Sequence, residues 1–290
     1  MKRSALILLP LAALTSAALY FTSATPAVAQ EAGKGAKPLK ALLVLGGCCH
    51  DYNAQKDILK AGLEQRLNIE VEIAYNPDKG TKAKFPQYEK DDWAKGYDVI
   101  IHDECSADVK ELEYVNRVLK PHRDGVPGVN LHCAMHCYRT APNVGKAVTA
   151  NTNDSLWFDY LGLQSSGHGP QKPITLTFVD KESPIVKGLS EWTTINEELY
   201  NNIQIFPTAK PIIRGKQDAG DKEGSNNTVV AWTNEYGTNK TRVFSTTVGH
   251  NNATVSDDKY LDLVARGVLW ATDKINADGS AKAGYGAVKK

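Results

Sequence analysis

Residues 41–51 read Ala-Leu-Leu-Val-Leu-Gly-Gly-Cys-Cys-His-Asp, and the class of the fold turns on this run. Five consecutive apolar residues ending in paired glycines suit a short strand buried on both faces, which is how strands of parallel sheets read. The segments that follow repeat the theme. Ile58, Leu59, Leu63 and Leu67 recur at helical spacing between Gln55 and Leu67. Glu70–Tyr75 alternates as a second strand, and Tyr97–His102 is a third apolar run. Asp108 is placed to cap a helix carrying Leu112, Val115, Val118 and Leu119 and stopped by Pro121 and Gly125, and Gly128–His132 reads as a fourth strand. Strand and helix patterns alternating in this way predict an α/β fold, a three-layer sandwich with a mostly parallel sheet and helices on both faces.

Past residue 140 the alternation loosens. Asp154–Leu161 is a candidate short helix, Ile174–Val179 and Lys210–Arg214 are candidate strands, and Thr228–Thr233 and Thr241–Val248 flank the turn-rich Asn234–Lys240 as a hairpin. The helix from Asp257 to Ile275 is the clearest in the chain, with Tyr260, Leu261, Val264, Val268 and Leu269 on one face. With no Pro/Gly/Ser linker in the middle, residues 40–276 are expected to form one domain, with a flexible tail over 277–290.

The chain has 290 residues, 34 basic and 33 acidic side chains, and 42% hydrophobic content, which excludes fibrous and wholly disordered classes. Lys2 and Arg3 precede an apolar run from Ala5 to Tyr20, and Ala27-Val28-Ala29 supplies a small-x-small pattern, so residues 1–29 are expected to be a signal peptide and 30–39 a flexible linker. The protein is then secreted or periplasmic, with no membrane attachment after cleavage. Without Lys2 and Arg3 the charge is −1, which gives no electrostatic footing for nucleic acid. A nearly neutral chain suits a small uncharged partner such as a sugar.

In an open parallel sheet ligands bind beyond the carboxyl ends of the strands. The unusual residues fall there. Cys48-Cys49-His50-Asp51 follows the first strand, His102-Asp103-Glu104-Cys105 ends the third, and His132-Cys-Ala-Met-His136-Cys137 follows the fourth. The last of these has the strand-turn-helix pattern of a nucleophile elbow, with His132 or Cys133 at the bend. If a helix begins at the turn, His132 and His136 share a face, as zinc-binding pairs do. A bridge from Cys48 to Cys105 or Cys137 is easier geometrically than a vicinal one, and five cysteines leave at least one unpaired in a monomer. Further along, Asn196-Glu197-Glu198-Leu199-Tyr200 and Gly249-His250 add a carboxylate and an imidazole, the groups that proton transfer on a sugar or carbonyl requires.

Gly128–Ala134, Glu197-Glu198-Leu199-Tyr200, Gly249-His250 and Arg266-Gly267-Val268-Leu269-Trp270-Ala271, in that order and spacing, resemble the ThuA-like (trehalose utilisation) family over nearly the whole of Leu39–Ile275. The resemblance implies a class I glutamine amidotransferase-like, flavodoxin-like fold and a part in disaccharide catabolism through 3-keto sugars. It implies catalytic roles for His50, His132, Glu198 and His250, and substrate-binding roles for Tyr200, Glu197 and His168; Asp103, at the end of the third strand, is a further substrate-binding candidate by its position. Glu197 stands where the family usually has Asp, and Ser183-Pro184 where His-Pro is common. No amidotransferase cysteine occupies the elbow and no late His-x-Glu pair follows, which argues against glutamine hydrolysis.

The expectation is therefore an enzyme acting on a (3-keto) sugar or glycoside through His/Glu acid-base chemistry or a divalent, zinc-like metal on His50, His132 and His250. No nicotinamide cofactor is expected, since no Gly-x-Gly-x-x-Gly follows a strand. Two alternatives stand beside it: a non-catalytic sugar-binding module in which Trp157, Tyr200 and Trp232 stack on the ligand, and a hydrolase using Cys133. Imidazole nitrogens of His50, His132 and His250 meeting within about 4 Å of one point would mark a metal site.

Overall fold

The structure is a computed structural model that describes residues 36–217 and 228–288. The leader read over 1–29 and the linker as far as residue 35 lie outside the described residues. Nine strands form one sheet in the order β2-β1-β3-β4-β9-β8-β7-β5-β6. β1 (Leu39–Gly47), β2 (Ile69–Asn76), β3 (Val99–Cys105) and β4 (Gly128–Leu131) make the first half. They pair in parallel, joined by α1 (Tyr52–Arg66) and α2 (Leu112–Arg123).

The second half departs from the mostly parallel sheet read from the sequence. β5 (Leu163–Phe178), β6 (Trp192–Ile205), β7 (Ala209–Lys216), β8 (Val229–Tyr236) and β9 (Thr241–Thr246) pair antiparallel throughout. Only β9 is parallel to a neighbour, β4. The sheet is mixed. The reason lies in the connections: parallel neighbours need a crossover of a dozen residues or more, whereas β8 and β9 are joined by a tight turn containing Gly237 at φ 66°.

α1 and α5 (Asp258–Ala271) cover one face of the sheet, and α2 and α3 (Leu156–Leu161) cover the other. Two cores result. Leu43, Leu45, Leu63, Val264 and Val268 belong to one, and Val44, Ile100, Val118, Leu119 and Trp157 to the other. Pro121, expected to stop α2, lies inside it. A proline has no N–H for the carbonyl four residues back, and the Arg117 carbonyl is taken instead by the Trp93 indole N–H at 3.0 Å.

β1 ends in a crowded place. Gly46 and Gly47 have φ of 136° and 95°, and a Cβ on either would collide with backbone, the Asn76 carbonyl oxygen in one case and that of Cys105 in the other. Glycine alone fits there. The tail expected to be loose from residue 277 has fixed partners in the described region. Ile275 and Gly286 bridge to Ala281 and Leu67, the Tyr285 carbonyl accepts the Asn68 N–H at 3.1 Å, and Tyr285 packs on the core.

Candidate functional site

The sheet brings four side chains from four places in the chain to one point. His50 sits in the loop between β1 and Asp51, whose carboxylate caps α1 by accepting the Ala54 N–H at 3.3 Å. His132 follows β4 at φ 41°, in the left-handed region, as an elbow requires. Glu198 points from the middle of β6, and His250 follows β9. His50 Nε2 lies 3.0 Å from both His132 Nε2 and His250 Nδ1. Glu198 Oε2 is 3.4 Å from His132 Nε2, and its Oε1 is 3.3 Å from His250 Nδ1. All four donor atoms lie within 4.8 Å of one another.

Outer partners orient each donor. His132 Nδ1–H donates to the Thr247 carbonyl at 2.6 Å, which turns its Nε2 toward the cluster. His50 Nδ1 meets the Tyr52 hydroxyl at 3.1 Å, and His250 Nε2 meets the Gln171 amide at 3.0 Å. Burial, then the neighbouring His132 and His250, bring the His50 pKa down to about 2. Burial also lowers that of His250. Burial works against ionisation of Glu198, but the His132 hydrogen bond and the charges of His132, His168 and His250 prevail and hold its carboxyl at about 2. The cluster thus offers a neutral His50 imidazole and a Glu198 carboxylate at neutral pH.

Those atoms fit a divalent metal. A tetrahedral site with bonds of about 2.0–2.1 Å separates its ligands by about 3.3–3.4 Å. Four of the separations, 3.0–3.4 Å, lie close to that spacing, and the whole set lies within 4.8 Å. His50 and His250 also line a cavity of about 780 Å³ with Asp51, Asn76, Asp78 and Asn252. A second cavity of about 840 Å³, by Arg123, Leu156 and Phe206, contains none of these groups.

The other expected residues take different places. His168 is at the rim, its side chain 43% exposed and its Nε2 3.5 Å from Glu198 Oε1. Tyr200 is buried, stacked on His136 at 4.2 Å, with its hydroxyl 3.4 Å from His132 Nδ1. Glu197 is fully buried and holds the His250 loop: its carboxylate accepts backbone N–H groups of Gly249, His250 and Asn251 at 3.3, 3.0 and 3.3 Å. From there it positions His250 and has no path to a ligand. Asp103 is buried behind the cluster, where burial and Glu104 push its pKa well up.

Several readings give way. His132–His136 forms a 3₁₀ turn with three residues per turn, so the two histidines diverge. His136 bonds Ser165 Oγ at 2.9 Å instead. Trp157 and Trp232 are buried, with their indole N–H groups on the Ala134 and Leu161 carbonyls, so neither they nor Tyr200 offers a stacking face. The cysteines pair as Cys48–Cys49 and Cys105–Cys133 and leave Cys137 free. With its sulfur bonded to Cys105, Cys133 is no free nucleophile. Tyr52, Thr247 and Gln171 carry no signal in the sequence, because each acts through a side-chain or backbone contact that only the folded loops create.

A second constellation of the same residue types lies in the core between α2 and the sheet. Glu104 Oε1 receives Tyr88 and Tyr138 hydroxyls at 3.0 and 2.9 Å and lies 2.9 Å from His102 Nδ1. His102 Nε2 meets His122 Nε2 at 3.0 Å, and His122 Nδ1–H donates to the Val126 carbonyl at 2.7 Å. All five side chains are sealed from solvent.

A model of the ThuA family, described as trehalose utilisation, matches residues 40–271. None of the curated proteins matches the chain. Among solved structures, a ThuA-like protein from Parabacteroides merdae is 22% identical, with a TM-score of 0.60 over 87% of this chain and 98% of its own. A ThuA-like protein from Bacteroides uniformis is 15% identical, with a TM-score of 0.57 over 83% and 94%. A glutamine amidotransferase from Thermotoga maritima aligns at 8% identity, with a TM-score of 0.42 over 81% and 98%.

Proposed function

The chain belongs to the ThuA family, and from that premise we propose that it is an exported enzyme of carbohydrate catabolism whose chemistry takes place at His50, His132, Glu198 and His250. The observation that supports this most strongly is the convergence of three imidazole nitrogens and a carboxylate within 4.8 Å beside a polar cavity. The substrate class we assign is an oxidised, 3-keto sugar or glycoside, in which the carbonyl acidifies the adjoining C–H. A base and a polarising group then suffice for elimination, hydration or isomerisation.

His50, His132, Glu198 and His250 would hold a divalent ion, and such an ion, when bound, supplies Lewis-acid polarisation of a substrate oxygen. The remaining work falls to the protein. Asp51, Asn76, Asp78 and Asn252 offer the mixed donors and acceptors that hydroxyl groups need. His168, at the rim beside Glu198, is the nearest group outside the four able to exchange a proton with a bound sugar. Two disulfides suit an oxidising compartment, which accords with export.

The test has two parts. Elemental analysis of the purified protein should find about one divalent ion per chain, absent from His132→Ala. A panel of 3-keto disaccharides and glucosides should be turned over by the wild type and by neither His132→Ala nor Glu198→Ala. Turnover by both folded variants would refute the assignment. Sugar binding without turnover and without metal would favour a binding module on the same fold.

A further inference from the structure

The two disulfides touch each other, and their exposure is graded. Cys49 is exposed at φ 85° and lines the 780 Å³ cavity. Its partner Cys48 is 9% exposed, and Cys105 and Cys133 are 2% and 5% exposed. Cys48 Sγ and Cys105 Sγ are 3.3 Å apart, a contact between two bonded sulfurs with no S–H to donate. One sulfur thus faces the cavity, one disulfide lies behind it, and a single short contact links them.

The geometry points to a disulfide relay that oxidises a small dithiol entering the cavity. Exchange proceeds by attack of a thiolate on a disulfide sulfur. A thiolate of the entering dithiol bonds to Cys49 Sγ, and the Cys48–Cys49 bond breaks with its electron pair left on Cys48. The Cys48 thiolate faces Cys105 and bonds to it. The Cys105–Cys133 bond breaks, and Cys133 leaves and takes up a proton. The second thiol of the substrate then displaces Cys49, which is also protonated, and the substrate departs as its own disulfide. Two electrons and two protons have passed from dithiol to protein. The protein then holds a Cys48–Cys105 bridge and thiols at Cys49 and Cys133.

Cys137 stays outside this exchange. Its Sγ donates to the Glu104 carbonyl at 2.9 Å and accepts the Ser106 N–H at 3.0 Å, deep in the core. The relay also reaches the histidine cluster, since Cys49 precedes His50 and Cys133 follows His132. It does not depend on the carbohydrate assignment.

Treating the full chain with one equivalent of dithiothreitol, quenching in acid and blocking free thiols with N-ethylmaleimide makes the relay visible by peptide mapping. The expected map has Cys48 bridged to Cys105, with label on Cys49 and Cys133. Label on Cys48 and Cys49 with Cys105–Cys133 intact would overturn the proposal, and so would label on Cys105 and Cys133 with the vicinal bridge intact. In Cys48→Ser the Cys105–Cys133 bond should be reduced at least about tenfold more slowly than in the wild type, since the sulfur in contact with Cys105 is gone. An equal rate would also overturn it. The wild-type map decides the matter by itself if that variant does not fold.

Discussion

Two groups of histidines and a glutamate sit on one sheet, and their difference lies in access to solvent. Around Glu104 two tyrosine hydroxyls and His102 converge on one carboxylate oxygen, His102 meets His122, and His122 meets the Val126 carbonyl, while the second carboxylate oxygen is buried without a partner. Around Glu198 the outward nitrogen of His132 is spent on Thr247, and His50 Nε2 lies 3.0 Å from the inward nitrogens of both His132 and His250. The first arrangement is sealed in the core, and the second opens on a cavity. Residue type alone does not separate the two; access to a ligand does.

The contrast breaks most readily at Glu198. Glu198→Gln keeps the shape and removes the charge, and should lower turnover by about 10²–10⁴-fold while the protein still unfolds cooperatively. Steady-state kinetics beside a denaturant titration checks both halves. Glu104→Ala should do the reverse, costing about 3–5 kcal/mol of stability by stranding His102 and two tyrosine hydroxyls in the core, with kcat spared in the fraction that stays folded. If Glu104→Ala abolished turnover without loss of stability, the two groups would not be distinct.

Glu197→Ala sharpens the comparison from the side. It removes three backbone bonds from the loop carrying His250, so amide hydrogen exchange at Gly249, His250 and Asn251 should accelerate. Metal affinity should fall by about 10–100-fold, the usual cost of losing a group that orients a ligand. The buried network should also show itself in acid. Burial, and then His102, hold the His122 pKa well below its usual 6.5. Its contribution to stability is therefore whole above pH 6.5 and is lost as the pH falls below that value, where the unfolded chain takes a proton that the folded chain refuses. The slope is at most about 1.4 kcal/mol per pH unit for one proton, and should flatten in His122→Asn when unfolding is followed from pH 7 to 5. Tyr200→Phe should matter least. Its hydroxyl is 3.4 Å from a nitrogen already held by Thr247 at 2.6 Å, so a loss of at most about 1 kcal/mol is expected in kcat/KM.

The parallel half of the molecule was legible because buried strands and amphipathic helices write their periods plainly, as Ala41–Gly47 and Gln55–Leu67 do. β5 was not. Its middle reads Ser-Gly-His-Gly-Pro-Gln-Lys-Pro, the composition of a loop, and it is a strand only because β6 pairs with it through repeated bulges. Of the site, His50, His132 and His250 could be named from motifs at strand ends, and Glu198 from the Glu197-Glu198-Leu199-Tyr200 motif. The part of Glu197 could not, since a carboxylate aimed at backbone N–H groups of another segment looks the same in sequence as one aimed at a substrate. The cysteine pairing also eluded spacing, because the turn at Cys49 had to be known before Cys48 could be placed against it.

The position of β9 has a consequence for how the molecule comes into being. It is the last strand along the chain, yet it lies at the centre of the sheet, between β4 and β8. Until residues 241–246 emerge, the parallel half keeps an unpaired inner edge at β4 and the antiparallel half has no seam to join. His250 and the carbonyl that orients His132 arrive with that same segment. A growing chain therefore cannot carry a finished reactive centre ahead of a finished sheet. The step that closes the hydrogen-bonded seam also completes the four-residue cluster, and a chain truncated before β9 should be sticky at its edge and lack that cluster.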